Sequence, residues 1–354
     1  MASGNSGRKI YLDVLRILAS FLVCYNHAHG FHYYLDQAAD GSLMSWLLVF
    51  HSVLIRINIP LFFMISGALL FGKEESWKVV LHKRVWRFFV LITGASAVTY
   101  VVMNWGSLSW QDFVYSYLRG TVNGSHWYLF AYLGLLLMLP FLRRIAAGLT
   151  KTDILALLIM KLIHTAVLPV LNFALNHWGI GPVALSDQLQ LPLIVLDCLF
   201  YPLLGYYLAE KVSPEIIGKK QAVALIALYV GGSLISTVVT YAQGMTTGFT
   251  QDYLGLFNCL SAMAVFLLVR GAFEKITVPG KVQKALSAVS GAVVGIYLLE
   301  PMVAKFLYVP FFRFFTWEPI SMILGSLLWT VVCMATGLAV TWLLRKIPGV
   351  KRYF

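Results

Sequence analysis

The sequence predicts an all-α, polytopic membrane protein, and three observations carry that prediction. Of its 354 residues 59% are hydrophobic and 12% charged, whereas a soluble domain is nearer a quarter charged. The apolar runs reach about 20 residues, the length a helix needs to cross a bilayer core. They lack the two-residue alternation of a membrane barrel. Mean hydropathy is +0.78.

Ten spans are predicted, at 10–31, 43–71, 86–105, 126–142, 154–175, 189–209, 221–241, 253–270, 286–309 and 319–344. The second is long enough to require tilt or a break, which Pro60 predicts. No internal repeat or extramembrane domain interrupts the series, so residues 1–354 read as a single domain. The apolar run after MASGNSGRK is long and lacks a small-residue cleavage site, so no cleavable signal is expected. The segments 106–125 and 176–188 are expected to form short surface helices. Trp105, Trp110, Trp127, Trp178 and Trp317 fall near predicted boundaries, as interfacial anchors do.

The connecting segments alternate in charge. One set holds Arg8 and Lys9, then Lys73 to Arg87, Arg143 to Lys151, Lys211 to Lys220, Lys275 to Lys284, and Arg345 to Arg352. The other set carries Asp36, Asp40, Asp112, Asp187 and Glu318, with Arg119 and Arg313 as its main basic members. The positive-inside rule puts the first set, and with it both termini, in the cytoplasm. The same rule accounts for the net charge of +12, so no nucleic-acid partner is expected. Cys24, Cys198, Cys259 and Cys333 lie in apolar segments without metal-ligand spacing and read as core residues.

Polar groups inside the spans locate the chemistry. Asp13, Arg16, Asn26 and His27 interrupt the first span. A charge at mid-membrane costs roughly 2.5–3.5 kcal/mol on insertion scales, so such groups face a protein interior or a wet cavity. Arg16 and His27 are eleven residues apart, about three turns, and share one face some 16 Å apart (roughly) along the axis. Asp13, three residues before Arg16, is placed to pair with it. In the second span His51, Arg56 and Asn58 precede Pro60-Leu-Phe-Phe-Met-Ile-Ser-Gly67. There Pro60 frees a carbonyl and Ser66-Gly67 allows a close helix approach. Lys83, Arg84 and Arg87 border the cytoplasmic face, fit either to anionic lipid or to a bound phosphate. His126 and Trp127 open the fourth span. Tyr297 and Glu300 lie in the ninth, Glu300 at a depth similar to His27, where a carboxylate could orient an imidazole. Asp197 reads as a further buried acid and a partner for Arg56 or Lys161.

These residues resemble the integral-membrane acyltransferase-3 family, bacterial proteins that O-acylate cell-surface glycans and other acceptors. The likeness rests on Leu12-Asp-Val-Leu-Arg16 with His27, on Pro60 to Gly67, on Arg84 and Arg87, and on His126-Trp-Tyr-Leu129. A partial match is Gly295-Ile-Tyr-Leu-Leu-Glu300, where many relatives end in histidine. The resemblance implies acyl transfer, in the first instance of an acetyl group, from cytoplasmic acetyl-CoA or another acyl-CoA to a hydroxyl. The acceptor would be a glycan or lipid-linked saccharide, the site the inner (plasma) membrane, and no cofactor would be permanently bound. It makes His27 essential and assigns Arg16 to donor binding or its support.

Transfer to an alcohol needs a base, donors for the developing oxyanion and exclusion of water. His27 is the candidate base or transient acyl carrier, and Glu300 its orienting partner. Arg16, Arg84 and Arg87 are candidates for the donor's phosphates, and His126, Trp127 and Tyr297 for the acceptor side. Asn26, Asn58 and Tyr297 could serve the oxyanion, with Asp13, Asn58 and Arg56 in support. His29 and His32 are the local competitors of His27. A proton-coupled carrier or glycan exporter, and a non-catalytic relative of the family, remain the other readings, and self-association is left open.

Overall fold

The computed structural model describes residues 8–28, 41–120, 122–181, 191–247, 252–351 and 353. Among them every regular element is helical. We number the helices α1 (Ile10–Asn26), α2 (Leu43–Ile55), α3 (Asn58–Leu70), α4 (Trp77–Met103), α5 (Trp110–Leu118), α6 (Trp127–Gly148), α7 (Lys151–His177), α8 (Asp197–Glu210), α9 (Lys219–Thr247), α10 (Asn258–Phe273), α11 (Gly280–Phe312) and α12 (Pro319–Leu344).

Among the described residues, seven helical stretches, one of them α2 and α3 together, are long and apolar enough to cross a membrane. The other three predicted spans correspond to α1, α8 and α10, of 17, 14 and 16 residues. At 1.5 Å per residue these run roughly 21–26 Å, short of a hydrocarbon core of about 30 Å. The expected first span to residue 31 ends earlier, because α1 stops at Asn26 and His27 closes its last turn through N–H to Val23 O (3.2 Å). His29, His32, Asp36, Asp40 and Asp187 lie outside the described residues.

The break in the second span falls at Arg56 and Ile57, four and three residues before Pro60. Pro60 sits instead in the first turn of α3, where a missing N–H is tolerated. Helix α5 fits the short surface helix expected in 106–125. Ser109 Oγ accepts the Asp112 N–H at 3.3 Å, and Asp112 favours the positive end of the helix.

Small residues set the tightest crossing, between α3 and α8. A Cβ on Gly67 would strike the Pro202 carbonyl, and one on Gly205 would strike the Met64 backbone. This is how helices approach where lipid offers no hydrophobic drive to association. On α9, Val223, Ile226, Val230, Leu234 and Val238 are exposed at helical spacing, an apolar stripe suited to acyl chains. Contacts at the basic segments fasten the helix ends to their neighbours. Lys9 Nζ meets Glu210 Oε1 at 2.5 Å, and Arg345 Nη2 donates to Gly291 O at 2.7 Å. At the opposite end Tyr241 at the end of α9 stacks on Trp46 at the start of α2, centroids 3.9 Å apart.

Candidate active site

A cavity of about 350 Å³ opens among the basic residues. Arg16 from α1, Lys83, Arg84 and Arg87 from α4, and Ser290 from α11 line it, with Phe62, Tyr128 and Tyr132 on its apolar walls. The predicted donor residues therefore meet in one recess. Their register depends on a π-helical turn, Val80–Trp86, inside α4. Such turns are rare and concentrate at functional sites, because the wider turn shifts the side chains that follow it.

Two ion-pair networks hold Arg16 and Arg84. Arg8 binds Asp13 in bidentate fashion, Nε to Oδ2 at 2.6 Å and Nη2 to Oδ1 at 2.9 Å. Asp13 also accepts from Ser290 Oγ at 2.7 Å, and Ser290 Oγ in turn accepts from Arg16 Nη1 at 3.0 Å. The expected Asp13–Arg16 pair is present as a long ion pair, Arg16 Nη1 to Asp13 Oδ1 at 4.0 Å, and Ser290 bridges the two groups by hydrogen bonds. Arg8 lies nearer in space because it precedes the helix and folds back along the first turn.

Glu75 organises the second network. It accepts from Arg84 Nε at 2.7 Å and Nη2 at 2.6 Å, and from Arg143 Nη2 at 2.8 Å. Arg143 Nε also donates to Leu70 O at 2.9 Å. The Arg84 hydrogen bonds above all, with those of Arg143, pull the Glu75 carboxyl down to about 2. Sequence reasoning passed over Glu75, Arg143 and Ser290. The paired acids Glu74-Glu75 in an otherwise basic loop were the available signal.

A second, larger cavity of about 730 Å³ holds His27. Glu300, Asn26, Arg56, Asn58, Trp127 and Tyr297 share its wall, as do Asn123 and Ser125 from the loop before α6. His27 Nδ1 lies 3.1 Å from Glu300 Oε2, off the line of a well-formed hydrogen bond. Contact on that side leaves Nε2 as the ring nitrogen available for chemistry. Glu300 precedes Pro301, whose missing N–H removes the helical bond to the Tyr297 carbonyl. Asn58 Oδ1 accepts the Ile59 N–H at 2.6 Å, so its amide NH₂ is the end it can offer a ligand. His126 is buried with its ring centroid 5.9 Å from that of Tyr297, and it stays behind the wall that Trp127 and Tyr297 form.

Arg16 and His27 share a helix face but not a chamber. Tyr297 lines both cavities, and its hydroxyl donates to Ser125 O. Tyr297 thus stands between the recess of Arg16 and that of His27. Away from both cavities, Asp197 pairs with Lys161 at 2.8 Å, and Lys161 also donates to Ile194 O at 2.7 Å. The Asp197 side chain is 43% exposed, against the expectation of a buried acid, while Lys161 is the buried partner.

The family model described as an acyltransferase domain matches residues 9–346. Comparison with curated proteins and with solved structures gives no match. The matched stretch takes in Arg16, Arg84, Arg87, His27 and Glu300, the same residues that the helices gather into two adjoining recesses. With nearly the whole chain inside that match, the protein belongs to the acyltransferase-3 family of multi-pass membrane enzymes.

Proposed function

We propose that the enzyme is an O-acyltransferase that moves an acyl group, an acetyl group in the simplest case, from cytoplasmic acyl-CoA to a hydroxyl of a cell-surface glycan or lipid-linked saccharide. The observation that carries this reading is the His27–Glu300 contact at 3.1 Å, set one residue, Tyr297, away from a recess lined by Arg16, Arg84 and Arg87. Guanidinium groups bind phosphates in bidentate fashion, so the basic recess suits the nucleotide end of the donor. His27 Nε2 takes the acceptor hydroxyl's proton as the oxygen attacks the thioester carbonyl. The C–S bond then breaks, CoA leaves as a thiolate, and the proton held on His27 returns to it. The Asn58 amide NH₂ in the same cavity is the donor we assign to the oxyanion, and the Tyr297 hydroxyl would join it by exchanging its hydrogen bond to Ser125 O. The motif run also resembles that of the O-acetyltransferase acting on enterobacterial common antigen, which makes a bacterial inner membrane and a polysaccharide acceptor the first choices to test.

The test is purified enzyme in lipid nanodiscs with radiolabelled acetyl-CoA and extracted membrane glycans. Label on a saccharide, lost in His27→Ala, is expected. Absence of acetyl-CoA binding would sink the donor assignment. Label retained on the protein through His27 would replace the base mechanism with a covalent carrier.

A further inference from the structure

The last turns of the chain lie beyond residue 346, where the family match ends, yet they fold back onto the basic cavity. Arg345 fastens the end of α12 to the Gly291 carbonyl of α11, and Gly291 itself lines that cavity. Successive turns follow, with Ile347 N–H to Leu344 O at 3.1 Å, Val350 N–H to Ile347 O at 3.2 Å and Tyr353 N–H to Val350 O at 2.9 Å. Gly349 takes φ +86°, a left-handed conformation that lets the chain reverse after Pro348. The outcome is that the Tyr353 ring, half-buried, enters the lining of the same cavity as Lys83, Arg84 and Arg87. It packs there against the apolar cluster that includes Leu91 and Leu129.

We infer that Tyr353 is a further donor-binding residue, whose ring stacks on the adenine of the acyl-CoA while Arg84 and Arg87 hold its phosphates. This rests on the donor reading above. An acyl-CoA carries its adenine beside its phosphates, so a ring set among guanidinium groups meets both parts of one ligand. Aromatic stacking suits a purine because every base presents a π-face. A tyrosine also supplies that area with few rotatable bonds to immobilise.

The experiment compares wild type, Tyr353→Ala and Tyr353→Phe by calorimetric titration in nanodiscs, with acetyl-CoA and with acetyl-phosphopantetheine, which lacks the adenosine. Tyr353→Ala should weaken acetyl-CoA about 5- to 150-fold while leaving acetyl-phosphopantetheine unchanged, and Tyr353→Phe should bind both as wild type does. Equal loss for both ligands would make the tail a structural element and overturn the inference. Unchanged or tighter acetyl-CoA binding by Tyr353→Ala would also overturn it, the latter making the ring a plug. Wild type that binds no acetyl-CoA would remove the donor reading and this inference with it, whereas wild-type binding with an indifferent Tyr353→Ala removes this inference alone.

Discussion

Pro60 and Asn258 are joined by a carbonyl that belongs to neither. Pro60 has no N–H to offer the Arg56 oxygen four residues back, and Asn258 Nδ2 at the start of α10 takes that oxygen at 3.0 Å. The two halves of the second span are thereby pinned at the rim of the His27 cavity. Asn258→Leu removes that hydrogen bond and should destabilise the fold by about 0.5–1.5 kcal/mol. Unfolding in detergent would measure it, and Asn258→Asp, which supplies no amide donor, should not rescue.

His27→Ala should lower transfer about 10²- to 10⁴-fold, the usual share of a general base, with CoA affinity unchanged. Glu300→Gln keeps the shape and removes the charge, so about a 10- to 100-fold loss is expected from misorientation of the ring. Single-turnover rates at saturating donor give both numbers. A His27→Ala enzyme that folds and transfers at near the wild-type rate would move the base elsewhere, with buried His126 the next candidate.

The Glu75 clamp predicts a pH signature. Its carboxyl is pulled down to about 2 by Arg84 and Arg143, against about 4.3 for an unperturbed glutamate. A depressed value contributes stability that is complete above the unfolded pKa and disappears as pH falls toward the folded one. The difference in thermal stability between wild type and Glu75→Gln should therefore be constant from neutral pH to about 5 and shrink between about 4.3 and 2. At neutral pH Glu75→Gln, like Arg84→Ala with Arg87→Ala, should raise the donor KM with little change in acceptor KM.

Gly67 leaves no space for a methyl group. Gly67→Ala drives a Cβ into the Pro202 carbonyl, which is backbone and has little freedom to retreat. About 1–3 kcal/mol of destabilisation is expected from such overpacking, with Gly67→Ser no better. Gly94, whose added Cβ meets nothing within 4 Å, is the control position.

The alternation of basic segments predicts that a reporter fused after Phe354 is active only in the cytoplasm. Activity on the other face would mean that α1, α8 and α10 do not all cross.

Hydropathy and charge made the helical class and the neighbourhood of His27 with Glu300 legible, because both follow from depth in the membrane. Arg16, Arg84 and Arg87 were found as a group for the same reason. What depth does not encode is azimuth. The Ser290 bridge between Asp13 and Arg16, the wider turn at Val80–Trp86 and the Tyr297 partition each depend on rotation about a helix axis and on a neighbour distant in sequence. The break at Arg56 was placed near Pro60, since a proline's effect is visible from sequence while the carbonyl it releases acts a turn earlier.

The Tyr297 partition has an electrical consequence. If the two recesses open on opposite faces of the bilayer, as the proposed reaction requires, little dielectric lies between them, and the membrane voltage falls steeply over that short septum rather than evenly across the bilayer. Moving one elementary charge through the full potential takes about 2.3 kcal/mol per 100 mV. In the reaction proposed above the acyl group is neutral and would pass this step without electrical work, while the polyanionic nucleotide would stay on its own side. On that reading a septum of one phenol ring would hand a neutral fragment across the insulating layer without becoming a route for ions.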